Sequence, residues 1–131
     1  MAFLPPGSFV NDQSKSQLIN RGAYVVQALG HCSECHTARN FLGAPKMARY
    51  LAGGKGPDGK DLPNLTPTNL KSWNDAELME FLRTGLTPDN DSANATMGEV
   101  IENVTSKMTP GDMDGVIAYL RSLPPIADET R

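Results

Sequence analysis

Three side chains with metal-binding or nucleophilic chemistry fall within five residues: Cys32, Cys35 and His36, in the order Cys-Ser-Glu-Cys-His. They include both cysteines and one of the two histidines of the 131-residue chain. No second Cys-x-x-Cys or Cys/His pair completes a four-ligand structural zinc site. A thiol-disulfide centre with this spacing needs a thioredoxin-like βαβ context, and the strand runs for it are missing. Cys-x-x-Cys-His is also the attachment motif of c-type haem. Two thiols three apart on a helical turn can form thioethers to the two vinyl groups of one porphyrin, and the adjacent imidazole can then reach the iron as proximal ligand.

The elements that must position this segment read as helices and loops. Leu18, Gly22, Val25, Val26 and Leu29 repeat at helical spacing, predicting a helix from Ser16 to Leu29 that Gly30 stops as a C-terminal glycine. Residues 40–71 are rich in Gly and Pro and read as long loops, which in a compact domain serve to line something. Ser72 with Asp75 looks like a capping-box pair opening a second helix, with Leu78, Phe81 and Leu82 on its buried stripe and Gly85 at its end. Residues 86–96 read as a polar loop, and a short helix is expected over Val100–Ser106. A last helix opens with Thr109 as cap and Pro110 in its first turn, and Pro124-Pro125 closes it. No strand is expected. The chain divides into an arm or linker (1–14), one all-α domain (15–126) and a tail (127–131).

Composition limits the function. Twelve Lys+Arg against 15 Asp+Glu give a net charge of −3, without the basic excess of an electrostatic nucleic-acid binder. No run approaches the ~20 apolar residues that span a bilayer. Aromatic residues are only 6%, as in a core that is largely aliphatic or whose largest aromatic object is a cofactor. Residues 1–14 lack the charged start and apolar run of an export signal. Haem c is attached outside the bacterial cytoplasm, so we expect a periplasmic protein whose chain here is mature or a fragment. The loop Asp89–Asn94 lacks the glycine and glutamate of an EF-hand and reads as a solvated turn.

An all-helical chain with this pentapeptide after its first helix resembles the class I cytochromes c, over Ser16–Pro125. Leu62-Pro63-Asn64-Leu65 is similar to the family's Gly-Pro-Asn-Leu, with leucine in place of the glycine. The segment from Ser72 to Leu82 is similar to one built on Trp, Leu-Met-Glu and an aromatic, with Phe81 where many relatives have tyrosine. Arg21-Gly22-Ala23-Tyr24, Gly30–Thr37 and Tyr119–Pro125 look like bacterial modules found in cytochrome subunits of membrane-associated dehydrogenases and related multi-haem chains. The resemblance implies a fold of three to five helices and long loops wrapped round one covalent haem c. It implies that Gly22 and Tyr119 meet where the first and last helices cross, and that Pro63 offers its carbonyl to His36. The distal iron ligand is expected at Met97, with Met108 or an open site as alternatives. Trp73 is either core or a donor to a haem propionate. Leu65, Leu78, Phe81 and Leu82 are expected against the ring. The implied function is one-electron transfer between a dehydrogenase or other redox donor and a respiratory acceptor, not catalysis. A haem enzyme or gas sensor with an open distal site is the alternative.

Overall fold

The computed structural model describes residues 11–55 and 61–128. Most of the expected arm, residues 1–10, and the end of the tail, 129–131, therefore lie outside the described residues. Asp12 is fastened to the first helix: its N–H donates to Asn20 Oδ1 at 2.8 Å, and its carbonyl accepts from Asn20 Nδ2 at 2.8 Å.

Helix α1 spans Gln17–Tyr24, with Ser16 as N-cap accepting from the Ile19 N–H. The expected continuation to Leu29 is present, but Val25–Leu29 is wound as a wider π-helix. Gly30 ends it differently from expectation. Its φ is −89°, and the left-handed residue is His31 at φ 51°. The surroundings of Gly30 are tight: a Cβ there would lie 3.3 Å from both Cys32 Sγ and the Val25 carbonyl oxygen, so a neighbour would have to shift slightly. Helix α2, Cys32–His36, is a single turn carrying the pentapeptide.

The loop region is more ordered than its composition suggests. It contains a 3₁₀ turn at Met47–Arg49, a short helix α3 at Pro67–Leu70, and a two-stranded antiparallel ribbon. In the ribbon β1 (Gly54–Lys55) pairs with β2 (Asp61–Leu62), Gly54 opposite Leu62 and Lys55 opposite Asp61. Two-residue strands leave no alternation for a sequence pattern to show.

Helix α4 runs Asp75–Thr84, and its cap is Asn74, not Ser72. Asn74 Oδ1 accepts from the Glu77 N–H at 2.8 Å, and Glu77 Oε1 accepts from the Asn74 N–H at 2.9 Å. Ser72 is engaged upstream, its hydroxyl donating to the Asn69 carbonyl. Gly85 closes α4 in the left-handed region, φ 80°. Helix α5, Ala95–Asn103, begins five residues before the expected start, because Asn94 caps it by accepting from the Met97 N–H at 2.9 Å. Gly98 disfavours helix intrinsically, but cap and packing on α4 override that preference. A 3₁₀ turn follows at Thr105–Lys107, and the Thr105 hydroxyl donates to the Leu82 carbonyl on α4. Helix α6 is Pro110–Ser122, capped by Thr109 as expected.

The crossing of α1 and α6 organises the core. A Cβ on Gly22 would sit 1.7 Å from the Gly115 carbonyl oxygen and 2.9 Å from Tyr119 Cβ. The glycine thus faces backbone as well as the expected aromatic. Arg21 and Asp112 clamp the crossing from outside at 2.8 Å. Val25, Val26, Leu51, Leu78, Ile117 and Leu120 are buried around it. Among the described residues, four α-helices of eight residues or more, with two single-turn helices, make an all-α domain.

Candidate haem c site

Helix α2 places two free thiols on one turn: Cys35 exposed, Cys32 half-buried against the core cluster. Burial, and to a lesser degree the neighbouring Cys35 thiol, push the Cys32 thiol up to about 11. It therefore stays protonated at neutral pH. Burial thus disfavours the charged thiolate of Cys32. Conversion to a neutral thioether carries no such electrostatic cost. Among the described residues no group of three or more His, Cys, Asp or Glu side chains is placed to hold a metal ion.

His36 is held from behind. Its Nδ1 lies 2.9 Å from the Pro63 carbonyl, which can only accept, so Nδ1 carries the proton and Nε2 keeps its lone pair. Burial pulls the imidazole below its usual value, with the Pro63 carbonyl partly opposing. The ring is accordingly neutral, the form that ligates a metal.

The contact depends on residues to which the sequence reading gave no role. Gly53 donates its N–H to the His36 carbonyl at 2.7 Å and sits at φ 72°. A Cβ there would meet the Leu62 carbonyl oxygen at 2.2 Å and the Pro63 carbonyl carbon at 2.7 Å. Only glycine lets the 62–63 segment lie beside α2. Leu51, fully buried at φ 58°, donates its N–H to the Thr37 hydroxyl and accepts from the Leu65 N–H, both at 2.8 Å. Asn64 is buried and accepts from the Thr66 N–H and hydroxyl. Its amide donates to the Ile126 carbonyl and to Asp128, so part of the expected tail fastens this loop. The Gly-Gly pair at 53–54 is the one visible signal in the sequence for the tight approach.

The remaining expected residues lie on other elements. Leu78 on α4 is core, and Leu65, Trp73 and Leu82 pack half-buried against that core. Phe81 meets Trp73 edge to face, ring centres 5.6 Å apart. Arg121 fixes the Trp73 turn, donating to the Leu70 and Trp73 carbonyls, each at 2.6 Å. The Trp73 indole N–H makes no hydrogen bond among the described residues. Met97 is half-buried in the first turn of α5, where a loop residue was expected. None of the described hydrogen bonds ties it to α2. Met108 is half-buried and packs against the core just ahead of the Thr109 cap.

These residues fit a haem c. Two free thiols three apart stand beside a neutral imidazole whose Nδ1 is anchored. A thioether and an unengaged indole donor lie on separate elements. Half-buried apolar side chains have one face on the core and one uncovered.

Comparison with known proteins agrees. The cytochrome c family model matches residues 19–124. The chain is 46% identical to a diheme cytochrome c-type protein of Cereibacter sphaeroides, over 81% of this chain and 36% of that one. It is 38% identical to the fructose dehydrogenase cytochrome subunit of Gluconobacter japonicus, over 92% of this chain and 25% of the relative. It is 32% identical to the cytochrome c subunit of the quinone-linked alcohol dehydrogenase of Gluconacetobacter polyoxogenes, over 96% of this chain and 29% of the relative. The chain thus spans about a third or less of these relatives. With a family match across nearly the whole described domain, and the attachment pentapeptide presented on one turn beside an anchored imidazole, the chain belongs to the cytochrome c family.

Proposed function

We propose that this domain carries one haem c, joined through Cys32 and Cys35 and ligated by His36 and Met97, and that it relays single electrons from a redox donor protein to an acceptor. The observation that carries the proposal is the placement of two free thiols on one helical turn with an imidazole whose Nδ1 is pinned to the Pro63 carbonyl at 2.9 Å. When bound, haem c supplies an iron that alternates between Fe(III) and Fe(II). The Pro63 carbonyl fixes the tautomer and raises the basicity of His36. The Met97 thioether is a soft neutral donor that favours Fe(II), raising the potential. With His36 and Met97 both holding the iron, small molecules would be kept off it, which would suit transfer and oppose catalysis. Trp73, its N–H unengaged, is the donor suited to a propionate, while Leu65, Leu78, Phe81 and Leu82 supply apolar cover.

The names of the relatives support a place within a larger redox assembly, as subunit or module. They include cytochrome subunits of fructose dehydrogenase and of quinone-linked alcohol dehydrogenases. An extracytoplasmic, periplasmic location follows from where haem c is attached. No helix among the described residues is long and apolar enough to cross a membrane.

Four substitutions test the attachment and the ligand set. In chain purified from an export-competent host, haem should resist acid-acetone extraction, and Cys32→Ala or Cys35→Ala should sharply lower holoprotein yield. Met97→Ala should abolish the sulfur-to-iron charge-transfer band of the oxidised protein, lower the potential and let the reduced protein bind carbon monoxide. Met108→Leu should leave all three unchanged. The reverse outcome would move the distal ligand to Met108.

A further inference from the structure

Between Cys35 and Lys55 the chain has Arg39, Lys46, Arg49 and Lys55 and no carboxylate, although its net charge is −3. Residues 39–47 of this stretch form a finger. Arg39 bridges Pro45 in antiparallel fashion, and the Asn40 N–H donates to the Ala44 carbonyl at 2.8 Å. Asn40 Oδ1 accepts from the Leu42 and Ala44 N–H groups at 2.9 and 3.1 Å. The Arg39 guanidinium donates to the Gly43 carbonyl at 2.8 Å, and the Lys46 N–H donates to the carbonyl of buried Ala38. The finger is therefore stiff, and its tip is not exposed through slackness.

At that tip Phe41 is 95% and Leu42 78% exposed, and Met47 beside the base is 64% exposed. No other large hydrophobic side chain among the described residues exceeds 48%. We propose that this finger docks the domain on an anionic lipid bilayer, Phe41 and Leu42 entering the interface while Arg39 and Lys46 stay at the level of the lipid phosphates. An apolar tip with cations behind it matches the layered polarity of such a surface. Long basic side chains can keep their charge at the headgroups while the tip goes deeper.

The shape selects a bilayer over a protein partner. A specific protein interface needs roughly 800 Å² from each side, far more than a tip of two or three side chains presents. A fluid interface moulds to a protrusion without a matching cavity. The finger leaves the chain only a few residues beyond His36. Docking through it turns the α2 side of the domain toward the lipid surface, where a membrane-bound donor or acceptor would be met.

The test uses the haem-loaded chain, with pelleting on vesicles followed by haem absorbance. Vesicles of phosphatidylglycerol and phosphatidylethanolamine should retain the chain at millimolar lipid, with an affinity on the order of that given by one acyl anchor. Retention should weaken with added salt and on phosphatidylcholine alone. Phe41→Ser with Leu42→Ser should lower partitioning about tenfold or more, with haem spectrum and melting temperature unchanged. Arg39→Gln with Lys46→Gln should remove the preference for anionic lipid. The proposal is overturned if the unsubstituted chain ignores anionic vesicles, or if the double serine variant binds them equally well. It is also overturned if that variant slows electron exchange with a soluble redox protein while the unsubstituted chain stays off lipid; the finger would then read a protein surface. The two measurements on the unsubstituted chain decide the matter even if a variant is lost.

Discussion

At the scale of single residues, the proposed proximal side rests on an amino acid with no side chain. Gly53 lets the Leu62 and Pro63 backbone pass within van der Waals reach, and that passage brings a carbonyl to His36 Nδ1. Gly53→Ala meets two penalties. The left-handed φ alone costs roughly 1–2 kcal/mol, and a Cβ 2.2 Å from the Leu62 oxygen must displace the 62–63 segment. An imidazole released from its carbonyl is less basic toward iron and loses it more readily to a proton. In the holoprotein, acidification should therefore convert the low-spin spectrum to high-spin at higher pH in Gly53→Ala than in the unsubstituted chain. An unchanged acid transition would mean that Pro63 is held by something other than this approach. Gly43, also at positive φ but with nothing within 4 Å of an added Cβ, provides the contrast. Gly43→Ala should strain only its own turn and leave the acid transition alone.

At the scale of elements, α1 and α6 meet backbone to backbone, so their crossing cannot absorb a methyl group. Gly22→Ala should overpack it and destabilise the holoprotein by about 3 kcal/mol or more, read as a lower denaturation midpoint. Gly111→Ala, in the first turn of α6 with only the Thr109 hydroxyl at 3.9 Å, should add about 0.5–1 kcal/mol instead. What is legible in the sequence at this scale follows the strength of the local signal. The last helix carries Thr109, Pro110 and a long apolar stripe, and its start is readable to the residue. The pentapeptide is legible because its chemistry is local. The α4 cap falls two residues from its expected place because Ser72 and Asn74 are both good caps, and they are separated by local bonds: the Ser72 hydroxyl turns back to the Asn69 carbonyl while Asn74 forms the reciprocal pair with Glu77. The first turns of α5 read as loop because Thr96 and Gly98 are weak helix formers, while the Asn94 cap and the α4 surface decide the outcome. The Gly-Gly pair at 53–54 hints at a close approach but not at what approaches, and Leu51 and Asn64 do not reveal their positioning roles, since partners such as Thr37 and Ile126 lie far along the chain.

At the scale of the whole molecule, the core that exists without a prosthetic group is one-sided. The α1–α6 crossing is closed by its own backbone contact and needs no cofactor. Below it, Leu65, Trp73, Leu82 and Cys32 are only half-buried, each with one flank on the core. The chain has eight aromatic residues, and among them Phe41 points almost wholly to solvent. Side chains alone thus offer little to complete that face. The described residues between Thr37 and Thr66 are mostly irregular and include Leu51 in the left-handed region, a conformation a leucine keeps only under external constraint. Fixing the backbone of such a segment costs about 1–2 kcal/mol per residue, and it has few buried apolar side chains of its own to offset that cost. In the proposed holoprotein a haem would supply the missing apolar area and, held by Cys32, Cys35 and His36, would tie the segment's start to the rest of the chain. Haem-free chain, obtained by combining Cys32→Ala with Cys35→Ala, should therefore show markedly reduced helical circular dichroism and a broad, non-cooperative thermal transition. The residual signal should come from α1 and α6, so Gly22→Ala in that background should remove most of what is left. Native helix content with a sharp transition in the haem-free chain would show instead that the half-buried face is closed by protein alone.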